Sequence, residues 1–165
     1  MANALVGREM PSVVLGRDEG IELNLAEFSQ GFPLAVYLYP AISPSPESTE
    51  DTRPVDAAQH RAFRDQRPDF EARGYRALGI STLSPRSQAR ETFESRLSHM
   101  LLSDPELQLA RALDLPTLTV AGIRRYCRLT LIARCGVIEK AFYPVASAPR
   151  SAAQVITWIK LQVTG

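Results

Sequence analysis

The sequence predicts an α/β fold in which helices flank a central mixed β-sheet and a β-hairpin precedes the sheet. Three observations predict it: one long apolar strand, an alternation of strand-like and helix-like segments after it, and a glycine-bounded pair of short apolar segments before it. The strand comprises residues 34–39 (LAVYLY), a continuous apolar run that is typical of a strand buried on both faces. Because open α/β sheets carry their chemistry beyond the carboxyl ends of their strands, we expect the functional site where this strand leads into the next helix.

Length and composition limit the class of protein. A chain of 165 residues fits one domain, residues 1–165, with a sizeable core. The hydrophobic content of 45% is ordinary for a globular protein, and the formal net charge of +1 argues against nucleic-acid binding. No apolar run approaches the roughly 20 residues that cross a bilayer, and the first residues lack the features of a secretion signal. The sequence therefore predicts a cytoplasmic protein without a membrane partner.

The first half of the chain is predicted from turn residues and helix caps. Two short strands flank residues 16–20 and form the predicted hairpin. The loop at residues 41–53 is rich in Ser, Pro, Glu and Thr and offers little to pack, so we expect high mobility there. The next helix begins near Pro54 and ends before Pro68, with Asp56 in its first turn, where a negative charge favours the helix dipole.

The second half alternates strands and helices. Predicted strands occupy residues 77–81, 100–103, 128–133 and 137–143, and predicted helices occupy residues 69–73, 86–98, 106–113 and 151–162. In the 86–98 helix Ala89, Phe93 and Leu97 are spaced four apart on one face. Asp104 is the expected N-cap of the 106–113 helix. The last two strands form a hairpin with Cys135 in its turn.

Two segments resemble a known family. The string LLSDPELQLARAL at residues 101–113 is very close to what peroxiredoxins carry at this point. The strand, Pro40, the long loop and a helix containing Ala-Phe-Arg-Asp resemble the active-site segment of peroxiredoxins of the bacterioferritin-comigratory or Q type. The order of elements is that of the thioredoxin-like fold with the additions of a peroxiredoxin. The resemblance covers roughly residues 6–160 and implies that fold.

The resemblance also implies where the catalytic residues should lie. In the family a peroxidatic cysteine precedes the Phe of the Phe-Arg-Asp run by seven residues, which places it at Asp56, and a resolving cysteine five residues later falls at Arg61. Neither position is a cysteine. The family's hydroxyl residue, three before the cysteine, corresponds to Arg53, with Thr52 one residue further back. The family's own peroxidatic step is therefore not expected at this position, because a carboxylate has no sulfur to oxidise.

An arginine completes the implied site. Arg128, in an Arg-x-Thr context, matches the family arginine that lowers the pKa of the peroxidatic thiol. Asp56 could pair with Arg128, could serve the helix dipole alone, or could join His60, four residues on, as a metal ligand, the least favoured of the three. We predict Arg128 and Pro40 as residues that bind an anion or ligand. No cofactor and no metal are expected.

Two functions remain open at this point. The first is a non-enzymatic binding or regulatory module whose former active-site pocket holds a small anion or a protein partner. The second is a thiol oxidoreductase that uses Cys135 or Cys127 and requires a thioredoxin-type reductant. These cysteines should not bridge each other, because eight residues of extended strand span about 26 Å and bridged Cα atoms lie within about 7 Å. Strand alternation predicts that Cys127 points away from Arg128.

Overall fold

The secondary structure follows the predicted order with one additional hairpin. A computed structural model describes residues 1–163 of the chain. Its strands are β1 Val14–Gly16, β2 Glu22–Asn24, β3 Leu34–Leu38, β4 Arg76–Ser81, β5 Met100–Ser103, β6 Thr117–Val120, β7 Ile123–Tyr126, β8 Leu129–Arg134 and β9 Val137–Phe142. Its α-helices are α1 Ala2–Leu5, α2 Leu25–Gly31, α3 Arg53–Asp65, α4 Arg67–Ala72, α5 Pro85–Glu94, α6 Gln108–Leu113 and α7 Ser151–Val163.

The main sheet is mixed, as predicted. Seven strands run in the order β2-β1-β5-β4-β3-β8-β9. Strand β3 pairs in parallel with β4 on one side and antiparallel with β8 on the other. The expected N-terminal hairpin is formed by β1 and β2, and the expected C-terminal hairpin is formed by β8 and β9. Strands β6 and β7 form a separate two-stranded sheet that the sequence analysis did not predict.

Strand β3 is buried on both faces. Leu34, Val36 and Leu38 contribute to one hydrophobic core, and Ala35 and Tyr37 contribute to the other. The second core also receives the apolar faces of three helices, α3, α4 and α7, through Phe63, Phe70, Ala152, Val155, Ile156 and Ile159. The predicted apolar face of α7 is thus confirmed, and β3 is the central strand of the domain.

The loop between β3 and α3 is better packed at its base than its composition suggested. Ala41 and Ile42 are buried, so the expectation that the loop offers nothing to pack is wrong at these two residues. The N–H of Ile42 donates to Thr52 Oγ1 over 2.8 Å, and the N–H of Thr52 donates to the carbonyl of Ile42 over 2.9 Å. These bonds close the loop at its base and bring Thr52 to the carboxyl end of β3.

Helix α5 buries a different face from the one that the spacing of its apolar residues indicated. Phe93 is 84% exposed, whereas Gln88 is buried and donates from Nε2 to the carbonyl of Leu102 over 2.7 Å. The prediction for this helix is wrong because the buried inner position is taken by an amide whose Nε2 donates to the Ser81 hydroxyl and to the carbonyl of Leu102, and not by an apolar side chain. Helix α6 begins two residues later than expected, at Gln108, so its N-cap is Leu107 and the prediction of Asp104 as N-cap is wrong. The Asp104 carboxylate nevertheless accepts the N–H groups of Gln108 and Leu109 at the start of this helix.

Among residues 1–163, no helix is long and apolar enough to span a membrane. The longest, α3 and α7, contain 13 residues each.

Candidate functional site

Asp56 lies in the first turn of α3 as a buried carboxylate with two side-chain partners. Its side chain is 2% exposed. Oδ1 accepts from Nη2 of Arg128 over 2.7 Å, and Oδ2 accepts from the hydroxyl of Thr52 over 2.8 Å. The residue at which the resemblance predicts a peroxidatic cysteine is therefore part of a closed ion pair with an additional hydroxyl donor.

Arg128 is held by residues of this chain at both of its terminal nitrogens. Nη2 donates to Asp56, and Nη1 donates to Oε1 of Gln59 over 2.7 Å. Gln59 in turn donates from Nε2 to Oγ of Ser151 over 3.0 Å, and Ser151 donates to the carbonyl of Ala148 over 2.7 Å. The bonds to Asp56 and Gln59 use two of the five N–H donors of the guanidinium and fix its position. The arrangement connects the start of α3, the segment before β8 and the start of α7.

Two opposing effects act on the charge of Asp56. Burial raises the pKa of this carboxyl and is the largest effect, while Arg128 and the Thr52 hydroxyl lower it. The result is a pKa above the ordinary aspartate value of 3.8. Asp56 therefore binds a proton more readily than an exposed aspartate, despite the neighbouring guanidinium of Arg128.

The other predicted site residues differ in whether they lie beside Asp56. Arg53, which corresponds to the family's hydroxyl residue, faces solvent and pairs with Asp51 over 2.8 Å. Thr52 supplies the hydroxyl instead, four residues before Asp56. Pro40 is buried directly after β3, and Arg61 is exposed. Thr52, Asp56 and Arg128 are thus brought together, whereas Arg53 and Arg61 are not.

His60 shares the buried face of α3 with Asp56, but its ring nitrogens have protein partners. Nδ1 lies 2.7 Å from the hydroxyl oxygen of Tyr37, and Nε2 lies 3.1 Å from Oε2 of Glu91. Within residues 1–163, no group of three or more His, Cys, Asp or Glu residues is arranged to hold a metal ion. The geometry gives Asp56 and His60 separate structural partners rather than a shared ligand.

A chain of hydrogen bonds continues from His60 through the core. The Tyr37 hydroxyl lies 2.7 Å from Nε2 of His99, and the Tyr39 hydroxyl donates to Oε1 of Glu91 over 2.7 Å. In the tautomer in which His60 Nε2 donates to Glu91, Nδ1 accepts from the Tyr37 hydroxyl, and the Tyr37 oxygen accepts from His99. Burial lowers the pKa of His99 to about 3, which keeps its ring neutral at pH 7.

The sequence analysis missed Gln59, Ser151 and this Tyr37 chain. Gln59 lies three residues after Asp56 on one helix face, which is the signal that could have identified it. Ser151 and Glu91 reach α3 from distant parts of the chain, so no local pattern indicated them.

Neither cysteine lies in an activating environment. Both are free thiols, in agreement with the prediction that they do not bridge each other. Burial raises the pKa of Cys127, the opposite of what a nucleophilic thiol requires. Cys127 precedes β8 rather than lying in it, so the argument from strand alternation was wrong. Cys135 is exposed in the β8–β9 turn, and its neighbour Arg134 is paired with Glu139 over 3.0 Å.

Comparison with known proteins agrees with this architecture. The family model of AhpC/TSA proteins matches residues 6–140. A peroxiredoxin of Schizosaccharomyces pombe is 28% identical over 66% of this chain and 51% of its own length. A putative peroxiredoxin of Mycobacterium tuberculosis is 32% identical over 64% of this chain and 61% of its own length. The matched segments thus span about half to three-fifths of these relatives.

Solved structures show the same fold over nearly the whole chain. Peroxiredoxin Q of Xanthomonas campestris has a TM-score of 0.78 at 23% identity and covers 96% of this chain and 98% of its own. The peroxidoxin BcpB of Mycobacterium tuberculosis has a TM-score of 0.78 at 19% identity and covers 94% of this chain and 96% of its own. At these identities the likeness shows the thioredoxin-like fold. The family match shows that the chain belongs to the AhpC/TSA family.

Proposed function

We propose that this peroxiredoxin-family protein does not reduce peroxides by the thiol mechanism of its family and acts as a binding or regulatory module. One observation carries the proposal: Asp56, to which the resemblance assigns the peroxidatic position, is a buried carboxylate closed by Thr52 and Arg128. A thiolate attacks a peroxide oxygen and becomes a sulfenic acid, whereas a carboxylate has no sulfur to oxidise. The ion pair keeps a negative charge beside Arg128 without keeping the nucleophile.

The geometry favours a protein partner over a small anion as the bound species. Both terminal nitrogens of Arg128 already donate to oxygens of this chain. An anion would have to approach a largely buried guanidinium whose charge Asp56 already offsets, whereas a partner protein can contact the exposed surface at the start of α3 with the pair intact. Pro54 and Val55 belong to that surface, and Val55 is 44% exposed.

The alternative thiol function is not favoured, because the pKa of Cys127 is raised by burial. A thioredoxin-type reductant is a partner of this protein only if one of its thiols is active. We also place the protein in the cytoplasm, where two free thiols are expected to stay reduced.

A peroxide consumption assay tests the proposal. The protein is mixed with hydrogen peroxide or an alkyl hydroperoxide, first with dithiothreitol and then with thioredoxin and its reductase. We expect no consumption above the protein-free rate. Cys127→Ser and Cys135→Ser variants are measured in parallel. Turnover that Cys135→Ser or Cys127→Ser abolishes would instead establish the relocated-thiol function.

An Asp56→Cys variant tests whether the surroundings still favour a thiolate. In a background with Cys127→Ser and Cys135→Ser, the new thiol lies at a helix N-terminus beside Arg128. Burial raises the pKa of Asp56 and also acts against a thiolate here, but a thiolate is less strongly hydrated than a carboxylate and loses less on burial. We therefore expect Arg128 and the helix N-terminus to bring the pKa of the thiol below about 8.5, the value of a free cysteine. Slow peroxide reduction that requires an external thiol should accompany it, because Arg61 stands at the resolving position. Glu47→Cys, on the exposed loop, is the control and should alkylate with an ordinary pKa.

A further inference from the structure

The hydrogen-bonded chain through Tyr37 has one direction of proton donation. His99 Nδ1 is buried and has no hydrogen-bond partner among residues 1–163, and a buried N–H without an acceptor is rare in folded proteins. The proton of this neutral ring therefore lies on Nε2, which donates to the Tyr37 oxygen over 2.7 Å. The Tyr37 hydroxyl then donates to His60 Nδ1 over 2.7 Å, and His60 Nε2 donates to Glu91 Oε2 over 3.1 Å. The chain thus leads from a phenol through an imidazole to a carboxylate.

Tyr37 differs from two other buried tyrosines in its proton acceptor. Tyr39 and Tyr126 donate directly to carboxylates, those of Glu91 and Asp104, over 2.7 Å and 2.6 Å. Tyr37 donates to an imidazole, and an ordinary imidazole accepts a proton more readily than an ordinary carboxylate. The distance of 2.7 Å is within the range in which a proton passes directly between two heavy atoms. Tyr37 is therefore the one of these three phenols that is best placed to give up its proton.

The surroundings exclude water from the Tyr37 ring and leave short routes to the surface. Tyr37 is 0% exposed and stacks on the ring of Phe63 at 4.3 Å between centroids. The ring centre of His99 lies 5.7 Å away, and His99 is half-buried and lines a pocket that opens to solvent. The side chain of Glu91 is 23% exposed. An electron can therefore leave across the ring of His99, and a proton can leave through Glu91, while the Tyr37 ring stays enclosed.

We propose that Tyr37 is a redox-active tyrosine that gives one electron to an oxygen-centred radical, such as an organic peroxyl radical. The phenol loses the electron to the oxidant and passes its proton to His60 Nδ1, while the Nε2 proton of His60 moves to the carboxylate of Glu91. Tyr37 becomes a neutral phenoxyl radical whose oxygen keeps the hydrogen bond from His99. The function proposed for the Asp56 site is not required for this step.

Charge and atoms balance over the whole reaction. Glu91 becomes a carboxylic acid and releases its proton to solvent. The peroxyl radical takes up one electron and one proton and becomes a hydroperoxide. One electron from an ascorbate-type reductant, together with a proton that returns from Glu91 through His60, restores the phenol of Tyr37. The protein would thus remove radicals one electron at a time, without a thiol.

Flash oxidation of the full chain tests the proposal. Cys127→Ser, Cys135→Ser and Trp158→Phe first remove other oxidisable side chains. The protein is mixed with tris(bipyridine)ruthenium(II) and pentaamminechlorocobalt(III), and a light flash generates the ruthenium(III) oxidant. Electron paramagnetic resonance and absorption spectra follow the phenoxyl radical. We expect a persistent phenoxyl signal that forms more slowly in deuterium oxide, that ascorbate removes, and that Tyr37→Phe abolishes. Peroxyl radicals from a water-soluble azo initiator should produce the same signal.

Two further variants assign the signal and its proton acceptor. Tyr39→Phe is the matched control, because this phenol also bonds to Glu91, and it should leave the persistent signal unchanged. In the Tyr39→Phe background, Glu91→Gln removes the final proton acceptor and should slow radical formation about tenfold, as expected for the loss of a charged hydrogen bond. Because Glu91 is partly exposed, this variant decides the question if Tyr37→Phe does not fold.

Four outcomes would overturn the proposal. They are a persistent signal in Tyr37→Phe, loss of the signal in Tyr39→Phe, an unchanged rate of radical formation in Glu91→Gln, and no phenoxyl signal with peroxyl radicals.

Discussion

Asp56 and His60 lie four residues apart on the buried face of α3, yet they are stabilised in different ways. Each residue is 1% exposed. Asp56 is held by the opposite charge of Arg128 and by one hydroxyl. His60 is held by the Tyr37 hydroxyl and Glu91, and the chain extends through Tyr37 to a neutral His99. One helix face thus carries a charged pair near its start and a hydrogen-bonded chain one turn later.

This difference predicts how mutations in each region should affect the stability of the protein. Loss of one partner of a buried ion pair strongly destabilises the fold, because the other charge is then buried without compensation. A chain of hydrogen bonds loses stability in proportion to the donors and acceptors that are left unpaired. Mutations in the two regions should therefore differ both in size and in whether a second mutation rescues the first.

The largest expected effect is at the ion pair. Arg128→Met leaves Asp56 buried without its cation, and we expect it to reduce the free energy of unfolding by about 3 to 5 kcal/mol. The double variant Asp56→Leu, Arg128→Met removes both charges and should recover most of that loss. Denaturant unfolding at neutral pH measures both. A double variant as unstable as the single one would show that packing, and not charge, dominates at this site.

A smaller effect is expected in the hydrogen-bonded chain. Tyr37→Phe removes the hydroxyl that joins His60 to His99 and leaves two ring nitrogens without that partner, so we expect a loss of about 2 to 4 kcal/mol.

Tyr39→Phe is the matched control for that substitution. It removes one hydrogen bond to Glu91, whose side chain is partly exposed, and should cost about 1 kcal/mol. If the two variants are equally stable in denaturant unfolding, then Tyr37 does not connect the two histidines as described.

The sequence predicted the fold well where the pattern was local. The continuous apolar run of β3, the apolar spacing in α7 and the turn around Cys135 each indicated their element without tertiary information. The β6–β7 hairpin was not predicted, because its short strands mix Thr and Arg with apolar residues. In the structure its turn residues, Ala121 and Gly122, both have positive φ, as a tight hairpin turn requires. Helix α5 was predicted with the wrong inner face, because the pairing of Gln88 with the carbonyl of Leu102 depends on β5.

The candidate site could be predicted only in part, for a related reason. Thr52, Asp56 and Arg128 were identified from the resemblance to a family, which carries tertiary information in its motifs. Ser151 reaches Gln59 across 92 residues of sequence, and no spacing within either segment indicates that contact. Pairing between distant polar side chains is determined by how the helices pack on the sheet, and single-sequence patterns do not contain it.

A glycine in β4 offers another way to perturb the Tyr37 chain, by crowding the Tyr37 ring. A Cβ at position 79 would lie 2.6 Å from Leu101 Cδ2 and 2.8 Å from Tyr37 Cζ. Gly79→Ala should therefore shift the ring of Tyr37 and cost about 1 to 3 kcal/mol through overpacking. Gly31→Ala, where a Cβ meets nothing within 4 Å, is the control and should leave the stability nearly unchanged. Thermal unfolding of both variants makes the comparison.

The smallest expected effect concerns the proton on Asp56. Burial raises the pKa of Asp56 above 3.8 in the folded protein, so the folded state binds a proton that the unfolded state has already released. The stability that this group contributes is then fully present below about pH 3.8 and decreases as the pH rises through the folded-state pKa. Asp56→Asn removes the titration and keeps the shape, so the wild type should become less stable relative to this variant as the pH rises from about 4.

Denaturant unfolding of the wild type and Asp56→Asn across pH 3 to 7 measures that difference, and the remaining carboxyl groups cancel because both proteins carry them. A wild type that instead gains stability relative to Asp56→Asn over the same range would show that Arg128 outweighs burial. The opposite slope would mean that the folded-state pKa lies below 3.8, as an ion pair alone predicts. The sign of this one slope therefore distinguishes a carboxylate held mainly by its cation from one whose charge the surrounding core disfavours.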